Sequence, residues 1–111
     1  EYYYSRLSKV NGITLRKFSE WCDPVHWLMT IKLDDNYDRD SFINYMQKQG
    51  IDCRQMVNPV HKAKHFETMY KDNEFIVSVN ISKQSVHLPS GLNLKKAEID
   101  KIINNIKKFI T

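Results

Sequence analysis

The longest regular pattern of apolar residues lies at the end of the chain, where they recur at helical spacing. Isoleucine stands at positions i, i+3, i+4, i+7 and i+11, Phe109 widens the stripe, and lysines and asparagines occupy the opposite side. The isoleucines are Ile99, Ile102, Ile103, Ile106 and Ile110. One apolar face with a polar back predicts an amphipathic helix from Glu98 to Ile110 that lies on a sheet and forms much of the core.

A period of two indicates a strand between Val25 and Leu33. Every second residue is apolar, in the set Val25, Trp27, Met29, Ile31 and Leu33. The positions between them are polar apart from Leu28. Successive side chains of a strand point to opposite faces, so this alternation predicts a central, half-buried strand whose apolar face is covered by helices.

A second helix is predicted from Arg39 to about Gln49. Asp38 can cap its first turn, and Gly50 is the expected stop, because helices often end in a glycine with left-handed backbone. Its buried stripe is expected to be Phe42, Ile43 and Met46. A short second strand is predicted over Ile51–Val57. Strand, helix and strand in close succession favour an α/β or α+β sandwich.

The remaining segments are shorter or less regular. Glu1–Val10 has one apolar helical face and ends at Asn11-Gly12, which predicts the tail of a helix. Ile13–Asp23 has no clear period and is expected to be a connection. Phe75–Ile81 fits either a strand or a short helix, and Val86–Leu88 is expected to be a short strand.

Composition narrows the class of protein. With 111 residues, 41% of them hydrophobic and 12% aromatic, the chain fits a single domain, residues 1–111. The net charge is +4, but acidic residues are scattered among the basic ones, so nucleic-acid binding is not expected. Two cysteines make no disulfide framework. Without such a framework, a reduced cytoplasmic setting is expected. No apolar run approaches the roughly 18 residues that would span a membrane, so we expect no membrane contact.

Few residues suggest chemistry on their own. His61 and His65 have the spacing of paired zinc ligands, but the glutamate and third ligand of a zinc motif are missing. Cys53 would need a base and positive surroundings to be a nucleophile, and Arg54 beside it should point to the opposite strand face. Arg54 and His61 bracket a strand end and a proline-led loop, where functional side chains often cluster. A surface salt bridge for Arg54 and a packed loop histidine for His61 are the alternatives.

Several short motifs occur in the same order as in a known family. Residues 4–15 are similar to "Y…L…v-x-G-I-x-L", residues 50–61 to "G-I-x-x-R…P-L-H", and residues 87–106 to a strand ending in "L-P" before an "E-I-D…I…I" helix. Their order resembles the DegT/DnrJ/EryC1/StrS family of sugar aminotransferases over essentially the whole chain. Three features depart from that family. Lys95 stands where threonine or serine usually caps the last helix, so Asn93 is expected to cap it. The usually helical segment before His87 is rich in β-branched residues, and Val60 replaces the commoner leucine.

The resemblance implies an α+β fold, a small, mostly antiparallel sheet with helices on one face, as in the small domain of fold-type I aminotransferases. It implies that residues 1–111 are the C-terminal domain of a longer enzyme, with residues 1–10 as the tail of a linking helix. Such enzymes hold pyridoxal phosphate (PLP) on a lysine of the large domain. They transfer an amino group from glutamate to a nucleotide-linked keto-sugar, as homodimers when full length.

By the same resemblance no catalytic, cofactor-binding or metal-binding residue belongs to this chain, which by itself should neither bind PLP nor transaminate. Arg54 could meet the phosphates of the sugar nucleotide or a substrate carboxylate, and His61 could contact the sugar. A dehydratase or regulatory member of the family stays an alternative. So does a stand-alone α/β interaction or regulatory module without PLP.

Overall fold

The computed structural model describes residues 1–111 as one α+β unit. Four strands form a single antiparallel sheet in the order β1-β2-β4-β3. The elements are α1 (Tyr2–Leu7), β1 (Ile13–Leu15), β2 (Met29–Leu33), α2 (Arg39–Lys48), β3 (Arg54–Gln55), α3 (Ile76–Gln84), β4 (Ser85–Leu88) and α4 (Lys96–Ile110). Short 3-10 turns lie at Val60–Lys62 and Asp72–Glu74. None of the helices is both long and apolar enough to cross a membrane.

The core lies between one face of the sheet and the helices α1, α2 and α4. The predicted isoleucine stripe of α4 is inside it, with Ile102, Ile103 and Ile106 almost wholly buried against the apolar residues of β2 and β4. Fully burying one such side chain stabilises the fold by roughly 1.5–3 kcal/mol. The predicted small antiparallel sheet with helices on one face is therefore confirmed.

Local signals set the ends of α2 as the sequence predicts. The Ser41 backbone N–H donates to Asp38 Oδ2 at 2.7 Å, so Asp38 caps the helix. Hydrogen bonds from Ser41 hold the pKa of the Asp38 carboxyl below its ordinary value. Gly50 follows the helix with φ +74, a conformation that side chains with a Cβ rarely adopt. Phe42 and Met46 are fully buried, and Ile43 packs at the margin of the core.

The predicted strand Val25–Leu33 is wrong in its first half. The strand β2 begins only at Met29, and Val25 and Trp27 are 93% and 79% exposed. The reason is the length of the partner strand, because Met29 pairs with Leu88, the last residue of β4. Beyond that pair no neighbouring strand remains, and alternating apolar residues without a partner do not form a sheet.

The other strands are also bounded by their partners. Ile13–Leu15, predicted as part of a connection, forms β1 and pairs with β2. The strand predicted over Ile51–Val57 is reduced to Arg54–Gln55, which pairs with only two residues of β4. The three residues of β1 are too few to show a period of two in the sequence. The two residues of β3 are only part of the longer strand that the sequence predicts.

The structure decides one helix that the sequence left open and changes the cap of another. In the ambiguous segment Phe75–Ile81, the residues from Ile76 onward belong to the helix α3 despite their β-branched side chains, and Phe75 is its N-cap. Asn93 does not cap α4, because the helix begins after Lys95. Glu98 takes over the capping, since its carboxylate accepts a hydrogen bond from the Lys95 backbone N–H at 2.7 Å.

Candidate functional site

Three polar residues lie side by side on the face of the sheet that the core does not use. Thr30 pairs with His87 across β2 and β4, and His87 pairs with Arg54 across β4 and β3. Directly paired residues of an antiparallel sheet point to the same face, and Ile31 on the opposite face is buried in the core. Register therefore brings three residues that are distant in sequence into one row.

His87 is the best-fixed member of this row. Its Nδ1 shares a hydrogen bond with Thr30 Oγ1 at 2.8 Å, whereas its Nε2 is buried without a hydrogen-bond partner. Desolvation lowers the pKa of the imidazole below its ordinary 6.5, so the ring is neutral at pH 7. The sequence carries no signal for this site, because only the pairing of β4 places His87 between Thr30 and Arg54.

Arg54 is the exposed member of the row. Its side chain is 79% exposed, and its Nη2 lies 3.2 Å from Asp52 Oδ2 in an ion pair open to solvent. Such a pair contributes little to stability, so the guanidinium is free to exchange this partner for another anion. Cys53 beside it faces the core as the alternation predicts, and burial raises the pKa of its thiol to about 12, which removes its nucleophilic character.

His61 lies in a separate cluster. Its side chain is 6% exposed in the turn Val60–Lys62, with Nε2 3.0 Å from Asp72 Oδ1 and the ring stacked on Phe75 at 4.7 Å. Lys62 Nζ pairs with the other Asp72 oxygen at 3.0 Å, and both hydrogen bonds hold the pKa of Asp72 below its ordinary value. This cluster ties the proline-led loop to the turn before α3. Arg54 and His61 are engaged by different aspartates, Asp52 and Asp72.

Two apolar grooves border these residues. The first, which we name the open-face groove, has a volume of about 420 Å³, and its lining includes Val25, Trp27, Leu28, Thr30, Val57 and His87. The second, the loop groove, has about 560 Å³, and its lining includes Val57, Val60, His61, Tyr70, Phe75 and Ile81. Val57 lines both, so the grooves are neighbours on one side of the molecule. His65 packs against Phe66, and no cluster of three or more potential ligands in the chain could hold a metal ion.

The fold and this site define a class, that of α+β domains with a four-stranded antiparallel sheet covered by helices on one face and largely open on the other. The model of the DegT/DnrJ/EryC1/StrS aminotransferase family matches residues 1–107. The chain belongs to this family.

Individual relatives agree with the family match. GDP-perosamine synthase of Vibrio cholerae is 26% identical over 106 residues, which cover 92% of this chain and 29% of that protein. S. venezuelae DesV, solved in complex with a ketimine intermediate, has a TM-score of 0.84 at 23% identity. The match covers 97% of this chain and 29% of the DesV chain. Spr1654 from Streptococcus pneumoniae in its PMP form has a TM-score of 0.84 at 18% identity, covering 98% and 28%. The chain thus spans under a third of these relatives.

The two apolar grooves lack the groups that the family's PLP cofactor needs. PLP needs a lysine for its Schiff base and donors for its phosphate. Neither the open-face groove nor the loop groove is lined by a lysine. A polar groove beside α2 contains Lys32 and Lys83, but it also contains three aspartates, which would repel a phosphate. These are Asp35, Asp38 and Asp40.

Proposed function

We propose that residues 1–111 are the C-terminal small domain of a PLP-dependent aminotransferase that moves an amino group from glutamate to a nucleotide-linked keto-sugar. The observation that carries the proposal is the family match over residues 1–107. A relative named for a GDP-linked sugar and the 29% share of its length support it. We further propose that the enzyme is a cytoplasmic homodimer, for which the two free cysteines are in keeping with a reducing compartment.

In this proposal the larger remainder of the polypeptide holds PLP, because neither apolar groove of this chain offers a lysine for it. PLP, when bound there, supplies the electron sink that transamination requires. This chain contributes substrate binding from its open side. It donates no catalytic group, and by itself it is inactive.

Arg54 is the residue that we propose to bind the anionic part of the substrate. Its guanidinium is exposed, its present partner Asp52 is exposed too, and β3 is an edge strand. A planar guanidinium can hold a phosphate or carboxylate through two parallel hydrogen bonds. Binding would exchange one weak ion pair for a stronger, charge-assisted one.

His61 is proposed to contact the sugar from within its loop. Its Nε2 is engaged by Asp72, so a direct contact would use Nδ1. The hydrogen bond with Asp72 and the stacking on Phe75 orient the ring. These contacts also hold Pro59 and Val60 in place, and Val60 is exposed at the surface of the loop groove.

The test of Arg54 uses the longer enzyme with each substrate varied in turn. Arg54→Ala should raise the KM for the nucleotide sugar roughly ten- to a hundredfold, since a charge-assisted hydrogen bond contributes about 1.5–3 kcal/mol. Arg6→Ala is the matched control, because Arg6 also forms an exposed ion pair, with Asp100, but on the helical side. Unchanged constants for both substrates in Arg54→Ala would assign Arg54 a structural role only.

A further inference from the structure

Large exposed apolar residues are unevenly distributed over the molecule. None belongs to α1, α2 or α4, whose apolar side chains lie in the core or at its margin. Except for Leu92, they fall within residues 21–28 and 57–81, the segments around the two grooves. Scattered apolar residues are normal on a surface, but a contiguous set that borders a groove marks a contact with another surface.

The open-face groove contains Trp27, one of the two exposed tryptophans. The side chains of Val25 and Trp27 are mostly exposed to solvent. Leu28 and Val57, which line the same groove, are exposed too. No carboxylate lines the groove. Arg16, its one arginine, is placed over the Phe18 ring at 5.0 Å. At the floor, the His87 ring is neutral at pH 7. The groove therefore suits an apolar partner surface rather than a charged one.

We propose that the open-face groove is the docking surface for the larger remainder of the same polypeptide, with Trp27 as the central anchor. The inference rests on the proposed function, because it needs a longer chain. The length of the relatives identifies the occupant, because this chain spans only 29% of GDP-perosamine synthase and 28–29% of the solved relatives. A covalently linked domain is present at high effective concentration, so a modest apolar surface is sufficient to hold it.

The test measures alkylation of Cys22 in the longer polypeptide by peptide-resolved mass spectrometry. Cys22 lines the open-face groove, and cleavage after Lys17 and Lys32 places it with Trp27 in one peptide. We expect slow alkylation in the native protein and about tenfold faster alkylation in Trp27→Asp, because a charge at the anchor opens the contact. Cys53 is the internal control for folding, since it is buried in the core and must stay protected.

Leu92→Asp is the matched control variant. Leu92 is fully exposed and apolar like Trp27, but it lines neither groove, so its substitution should leave Cys22 protected. Fast alkylation of Cys22 in the native protein, or no effect of Trp27→Asp, would overturn the docking proposal. So would protection that disappears on dilution, which would identify a second copy as the occupant.

The assay also separates this inference from the proposed function. Protection of Cys22 in a polypeptide without transaminase activity would leave the docking surface standing and refute the function. Transaminase activity in a polypeptide whose Cys22 is alkylated freely would support the proposed function and refute the docking surface.

Discussion

Helices α1, α2 and α4 cover one face of the sheet, whereas loops cover the other face only in part. On the helical side every large apolar residue is at least partly buried, and the fully buried set includes Leu7, Phe42, Met46, Ile103 and Ile106. On the open side Trp21, Val25 and Trp27 are mostly exposed. On the helical side the chain itself buries the apolar residues. On the open side the exposed apolar residues are typical of a surface that contacts another surface.

The sharpest way to test this contrast is to truncate one anchor on each side. Ile103→Ala and Ile106→Ala should each lower the free energy of unfolding by about 2–5 kcal/mol, because they leave a cavity under α4. Trp27→Ala in the 111-residue chain should change it by under about 0.5 kcal/mol, as expected for a surface substitution. Urea unfolding followed by circular dichroism measures both.

Lys107→Ala is the control on the polar side of α4, with an expected cost below about 1 kcal/mol. Equal, small losses for the isoleucine and lysine variants would mean that α4 is not docked on the sheet. A large loss for Trp27→Ala would mean that the open side is part of the core.

Two glycines extend the comparison to the backbone. Gly12 has φ +84, and a Cβ there would stand 2.6 Å from Ile110 Cγ2 at the end of α4. Gly12→Ala should therefore cost about 1–3 kcal/mol in unfolding free energy, the usual range for overpacking. Gly91 has open space around its Cα, so Gly91→Ala should be within about 0.5 kcal/mol of the native protein. Similar thermal midpoints for the two variants would contradict the close packing of the helical side.

A smaller effect should follow pH on the open side. Burial lowers the pKa of His87 below 6.5, so near and below pH 6.5 the unfolded chain binds a proton that the folded chain resists. Stability should consequently fall as the pH drops through this range and recover above it. The carboxyls of Asp38 and Asp72 have lowered pKa values and act at more acidic pH, below their ordinary 3.8.

His87→Asn isolates this effect, because its amide can still reach Thr30 while the titrating ring is removed. Thermal unfolding midpoints at pH 7.5 and 5.5 should differ less in the variant than in the native chain. The same difference in both proteins would assign the pH dependence to other groups.

The sequence by itself determined the elements whose causes lie within a few residues. The isoleucine stripe of α4, the Asp38 cap of α2 and the glycine stop at Gly50 each act within one helix or at its ends, so their signals are local. The order of short motifs was sufficient for the family, because it follows the whole chain rather than a single site.

Only the tertiary structure decided how far each strand extends and which polar residues meet. The strand β2 stops at Met29 because β4 ends at Leu88, and this limit lies 59 positions away in the chain. The Thr30–His87–Arg54 row arises from register, and the His61–Asp72 pair from a folded loop. Strand pairing and loop closure join residues that no local pattern connects, so the site of this domain becomes visible only once its partners are in place.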